Sequence, residues 1–191
     1  FANSKASDQF EVTLSDLFLA LAKDVPTGED GKTQPNPYST WDQVNAALPA
    51  VKIEVLGPPP TSGTRDAFVE LAMEGGCKTV DWIKALKKSD KNAYKALCHT
   101  IREDGAYVEA GENDNLIVQR LEADPNAMGI FGYSFLYENL DKLKGVMIEG
   151  VEPSTDTIAD KSYPVSRPLF FYVKNAHRGV IPNLNEFIEE Y

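Results

Sequence analysis

Apolar positions recur at helical spacing through residues 13–22, where Leu14, Leu17, Phe18 and Leu21 share one face behind Thr13, a residue suited to cap a helix start. That face predicts an amphipathic helix packed on a sheet. Residues 23–39 carry Pro26, Gly28, Gly31, Pro35 and Pro37, too many breakers for regular structure, and read as a surface loop. A short helix is predicted over residues 40–48. In residues 51–56 branched apolar side chains alternate with charged ones before Gly57, the pattern of a strand. From Arg65 to Met73 the apolar positions Phe68, Val69, Leu71 and Ala72 return to helical spacing, with Gly75-Gly76 as the expected stop.

Two further helices are predicted over residues 80–88 and 91–102, the second with Ala93, Tyr94, Leu97, Cys98 and Ile101 as its buried stripe. Tyr107-Val108-Glu109 suits a short strand. Residues 111–115 open a helix that runs through Leu121 to a turn at Asp124-Pro125-Asn126. Residues 127–133 are small and apolar, as in a strand buried on both faces. A helix to about Leu140 and a strand at 146–148 follow. Residues 163–168 break the pattern, residues 169–174 (LFFYVK) carry the strongest strand signal in the chain, and residues 183–191 form a closing polar helix. Alternating strands and helices define the expected class: α/β, three layers, a mostly parallel sheet with helices on both faces. No internal repeat is present.

One segment carries candidate chemistry. Pro58-Pro59-Pro60-Thr61-Ser62-Gly63-Thr64-Arg65 lies between the predicted strand and the helix after it. A helix start leaves backbone N–H groups unpaired and holds partial positive charge, so an oxyanion placed there gains hydrogen bonds and a favourable dipole. Ser62 and Thr64 add hydroxyls, Gly63 lets a ligand approach the backbone, and Arg65 offers a fork for two oxygens. The plain alternative is that Ser62 or Thr64 only caps a helix. Placement after the carboxyl end of a strand, where α/β sheets bind ligands, favours the anion.

Charge narrows the partners. With 29 acidic against 19 basic residues, net -10, and no dense Lys/Arg block, the footprint of a nucleic-acid binder is missing. A local anion site survives this, because distant surface charge is screened over about 8 Å. The 191 residues, 42% hydrophobic, suffice for one core or for one domain plus part of another. No run approaches the roughly 18 apolar residues of a membrane span. The opening Phe1-Ala2-Asn3-Ser4-Lys5 lacks the features of a signal peptide, which points to upstream removal or to an excised piece. Cys77 and Cys98 accompany no CxxC pattern, and His99 and His177 do not complete a zinc set by spacing. A disulfide and two buried thiols both remain open. No metal or cofactor is implied.

Three blocks together, GPPPTSGTRDAF (57–68), NLIVQRLEADPNAMGIFGY (115–133) and YPVSRPLFFYVK (163–174), resemble the periplasmic phosphate-binding proteins of bacterial ABC phosphate importers, in that family's order. The resemblance implies a type II periplasmic binding protein, with phosphate clamped between two α/β lobes and delivered to a membrane permease. Residues 1–166 would form the second, phosphate-gripping lobe, and 167–191 a crossover strand and the start of a return into the first. Carried over, Ser62, Gly63 and Thr64 bind phosphate. Many members place an arginine four positions before the serine, where this chain has Pro58, and Arg65 is the expected replacement. The family's first-lobe ligands have no counterpart here, so the chain holds half a site and should bind phosphate alone only at millimolar levels or below detection. The resemblance further implies a periplasmic or outer-surface setting, a monomer, a signal peptide outside this chain, and a Cys77–Cys98 disulfide.

Other side chains have simpler readings. Arg167 between prolines suits a hinge or surface contact, and Asn113, Asp114 and Asn115 suit a helix cap. Glu109, Glu112 and His99 form no nucleophile with an oriented base, so no enzyme is expected. The alternatives are the same fold holding another tetrahedral oxyanion such as sulfate, or serving in sensing, and a hydrolase or transferase of phosphate esters, whose turnover would depend on Ser62.

Overall fold

A computed structural model describes residues 1–190. The chain opens with β1 (Ala2–Ser4) and β2 (Glu11–Val12), then α1 (Leu14–Leu21). Thr13 caps α1 reciprocally: its hydroxyl accepts from the Asp16 N–H at 3.0 Å, and the Asp16 carboxylate accepts from the Thr13 N–H at 2.8 Å. The expected loop over 23–39 contains a hairpin instead, β3 (Asp24–Pro26) against β4 (Thr33–Pro35). Gly28 and Gly31 turn it with φ of 88° and 76°, values open to glycine at little cost. After α2 (Trp41–Val44) comes β5 (Val55–Gly57), and α3 (Gly63–Phe68) follows it.

Gly75-Gly76 do not stop this helix. α3 passes through a wide π turn, Val69–Met73, into α4 (Glu74–Cys77), and both glycines sit inside the continuous run. Their role is contact, because a Cβ on Gly76 would lie 2.0 Å from the Leu14 carbonyl oxygen of α1. α5 (Asp81–Ser89), α6 (Lys91–His99), β6 (Tyr107–Glu109), α7 (Asp114–Ala123), β7 (Met128–Gly129), α8 (Tyr133–Glu138), β8 (Leu143–Gly145), β9 (Met147–Ile148) and α9 (Thr155–Ala159) complete the body. Cys77 and Cys98 are bonded, with Cα atoms 5.6 Å apart, which joins α4 to α6 and resolves the open pairing.

The main sheet has the order β6-β5-β7-β1-β8. β5 runs parallel to β6 and β7, while β1 lies antiparallel to both β7 and β8. Four strands therefore share one direction and only β1 is reversed. Adjacent residues of β5 face opposite layers: Val55 joins a core with Phe18, Met73 and Cys98, and Leu56 joins one with Ile117, Leu121 and Leu136. Period-two alternation thus feeds helices on both faces, as the α/β pattern predicts. β1 has no sequence signal: Ala2-Asn3-Ser4 lacks a strand pattern and is held by its two neighbours.

Residues 169–174 depart from expectation. Despite their β propensity they join no sheet among the described residues, and Leu169 and Tyr172 are 87% and 93% exposed. A strand needs a hydrogen-bonding neighbour, and propensity measures the fit to one. A 3₁₀ turn, Asn175–His177, and α10 (Leu184–Glu190) follow. Tyr191, the last residue of the predicted closing helix, lies outside the described residues.

The disulfide sits beside a charge cluster. The half-buried Glu74 meets Lys78 and Lys87 at 2.7 Å each and His99 at 2.9 Å. Burial pushes its carboxyl up, but hydrogen bonds from Lys78, Lys87 and His99 outweigh burial and hold it well below the ordinary 4.5. The buried Tyr94 phenol lies in the same field, its ionisation suppressed by burial and then by Glu74. A carboxyl depressed in the fold stabilises above its unfolded value, and that contribution fades as pH falls through the folded one. Glu74→Gln is therefore expected to lower the urea midpoint at pH 7, with the gap to the parent chain closing progressively below about pH 4. A pH-independent gap would contradict this account.

Candidate anion-binding site

The loop after β5 is fastened from behind. Gly57 ends the strand where Tyr107 of β6 crosses it, and a Cβ there would fall 2.2 Å from the Tyr107 hydroxyl. With glycine in place, that hydroxyl donates to the Pro58 carbonyl at 2.7 Å. Arg65 Nη1 donates to the same oxygen at 3.2 Å, its guanidinium lies 4.3 Å from the Tyr107 ring centroid, and Glu109 is 4.0 Å away. Burial raises the Tyr107 phenol above its ordinary range, and the neighbouring Arg65 opposes that. The Arg65 side chain is only 14% exposed. It braces the loop through hydrogen bonding and cation–π contact.

The front of the loop is the helix start. Ser62 takes the N-cap position with extended backbone, and its Oγ accepts from the Thr64 N–H at 3.2 Å. The cap does not use up the hydroxyl. Accepting uses a lone pair of the hydroxyl and leaves its O–H free to donate. The Ser62 N–H is spent on the Pro59 carbonyl at 3.0 Å, and Thr61 donates to Glu112 at 2.7 Å, so the loop leans on the turn before α7. The run from Gly63 to Cys77 aims its partial positive end at this loop.

Thr64 also lines a cavity of about 370 Å³, with Phe68, Phe131, Gly132, Tyr133 and Arg167 among its walls. Arg167 Nη2 donates to the Gly63 carbonyl at 3.1 Å. Asn113 caps α7 by accepting from the Asn115 N–H at 3.1 Å, as its residue type suggests. Burial raises the Asp114 carboxyl, and the Gly132 N–H it accepts from works in the opposite direction. Ser62, Gly63 and Thr64 therefore stand together at one surface with Arg167 beside them, while Arg65 faces the loop's own backbone. Spacing could not reveal Tyr107 or Arg167, because both reach the loop through tertiary contact. No group of three metal-ligating side chains occurs among the described residues.

A parallel-rich sheet between two helical layers, with a Ser-Gly-Thr helix start beyond a strand's carboxyl end, defines a three-layer α/β domain. The PBP superfamily domain model matches residues 1–191, and the chain belongs to that superfamily. It is 35% identical over 155 residues to the phosphate-binding protein PstS of Staphylococcus haemolyticus (strain JCSC1435), covering 78% of this chain and 40% of the relative. The PstS protein of Staphylococcus aureus (strain USA300) is 33% identical over 155 residues, covering 78% and 39%. Both matches thus span less than half of the relative's length. Among solved structures, a possible phosphate binding protein from Planctomyces limnophilus DSM 3776 superposes with TM-score 0.60 at 26% identity, covering 98% of this chain and 57% of that one. PstS from Borrelia burgdorferi, at TM-score 0.57 and 18% identity over 99% and 65%, shares the fold.

Proposed function

We propose that the chain is the phosphate-gripping lobe of a binding protein that delivers inorganic phosphate to the membrane permease of an ABC transporter, without chemistry on the ligand. The observation that carries this is the braced Ser62-Gly63-Thr64 helix start beyond β5. The similarity to phosphate-binding proteins over 78% of the chain supports it. Ser62 and Thr64 donate their hydroxyls, Gly63 offers its backbone N–H, and Arg65 holds the loop rigid from behind. Residues 1–166 form the lobe. The exposed apolar strip after Arg167, where Leu169 and Tyr172 are 87% and 93% exposed, suits the crossover strand. The protein works as a monomer in the periplasm or at the outer cell surface, an oxidising setting that agrees with the Cys77–Cys98 bond.

An open half-site leaves the anion facing water, where each hydrogen bond is worth less than in a closed cleft. The chain alone is expected to bind phosphate at about 1 mM, which corresponds to about 4 kcal/mol. Calorimetry and amide shifts at Gly63 and Thr64 check this, with sulfate as competitor. Sub-micromolar affinity would refute the half-site, and stronger displacement by sulfate than by phosphate would refute the ligand.

A further inference from the structure

We propose that Arg167 supplies the guanidinium that grips the anion at the Ser62–Thr64 loop, an inference that rests on the phosphate reading above. Arg65, adjacent in sequence, is committed elsewhere. Its Nη1 serves the Pro58 carbonyl at 3.2 Å and its plane covers Tyr107 at 4.3 Å. Turning it outward would take one donor from that carbonyl and uncover the ring. The remaining arginines are also engaged or distant. Arg102 is buried on Asp104 and the Ala20 and Tyr38 carbonyls, Arg120 lines a separate small pocket with Glu54 and Asp124, and Arg178 reaches Asn185.

Arg167 has the right place and spare capacity. Its Nη2 lies 3.1 Å from the Gly63 carbonyl oxygen and 3.9 Å from where a Gly63 Cβ would be, and it shares the walls of one cavity with Thr64 and Ser166. A guanidinium presents five donors in a planar fork. The Gly63 contact engages one of these and parks the charged head beside the helix start. The others are available to two oxygens of a tetrahedral oxyanion, the geometry in which arginine outperforms lysine. The contact joins residues 104 positions apart, and it puts a fixed positive charge at a loop whose own arginine faces backward.

The test titrates inorganic phosphate into the chain at low ionic strength and follows the Gly63 and Thr64 amides by NMR, for the parent chain and for Arg167→Gln, Arg167→Lys and Arg65→Gln. Arg167→Gln is expected to weaken binding about tenfold and to flatten its dependence on NaCl, since a screened charge is lost. Arg167→Lys should restore the salt dependence but only part of the affinity. A purely structural Arg167 would not move the salt dependence. Arg65→Gln should lower the melting temperature and keep the salt dependence. If Arg167→Gln binds phosphate like the parent, or if Arg65→Gln abolishes the salt dependence instead, the assignment fails while the phosphate reading stands. If the parent amides do not respond by about 50 mM phosphate, well above the expected 1 mM, both fail together.

Discussion

Gly76→Ala is expected to destabilise the chain by about 3 kcal/mol, whereas Gly75→Ala, one residue away, should change stability by less than about 1 kcal/mol. Both positions lie in a helical run, where alanine is intrinsically better than glycine by roughly 1 kcal/mol. Packing reverses the sign at one of them. A Cβ on Gly76 would meet the Leu14 carbonyl oxygen at 2.0 Å and the Phe18 Cβ at 2.7 Å. Backbone of α1 cannot rotate away, so the two helices would have to separate across a core containing Leu17, Phe18 and Met73. At Gly75 the nearest atom is Leu14 Cδ1 at 2.9 Å, the far end of a side chain that can change rotamer. Urea denaturation of the two variants decides the matter. Equal midpoints would show that α1 and α4 are not in close contact.

Removing the disulfide should cost as much by another route. Cys77 and Cys98 are separated by 21 positions, and closing a loop of that length removes denatured-state entropy worth about 3 kcal/mol. For a chain of this size such a loss lowers the melting temperature by about 6–12 °C. Both residues are fully buried beside Met73, Ile83 and Tyr94, so the double Cys77→Ala, Cys98→Ala variant also leaves small voids in a packed region. Calorimetric melting of oxidised protein, reduced protein and the double variant separates the terms: reduction removes the covalent restraint, and alanine adds the voids. Coincident melting of the oxidised and reduced forms would refute the stabilising role of the bridge.

Several elements were readable because their causes are local. Thr13 and Asp16 announce the start of α1 within four residues, and the cap forms as the residue types require. The order strand, proline-rich loop, Ser-Gly-Thr and helix is contiguous, so the candidate site is legible as one segment of the chain. Elsewhere local pattern misled. Residues 169–174 have the strongest β propensity yet no sheet among the described residues, while Ala2–Ser4, with no such pattern, lies between two strands. Gly75-Gly76 look like a helix stop and serve as a helix contact.

Sequence by itself determined the α/β class, most helix positions and the helix start at Ser62-Gly63-Thr64, since periodicity, capping and turn chemistry act between residues a few positions apart. Tertiary structure alone decided the reversed strand at the sheet's interior, the Cys77–Cys98 bond and the aim of the arginines. Those depend on groups that meet only after the chain folds: Tyr107 under Pro58, 49 positions apart, and Arg167 on Gly63, 104 apart. A guanidinium's direction is set by the carbonyls and ring faces within reach, and no spacing rule in one dimension encodes them.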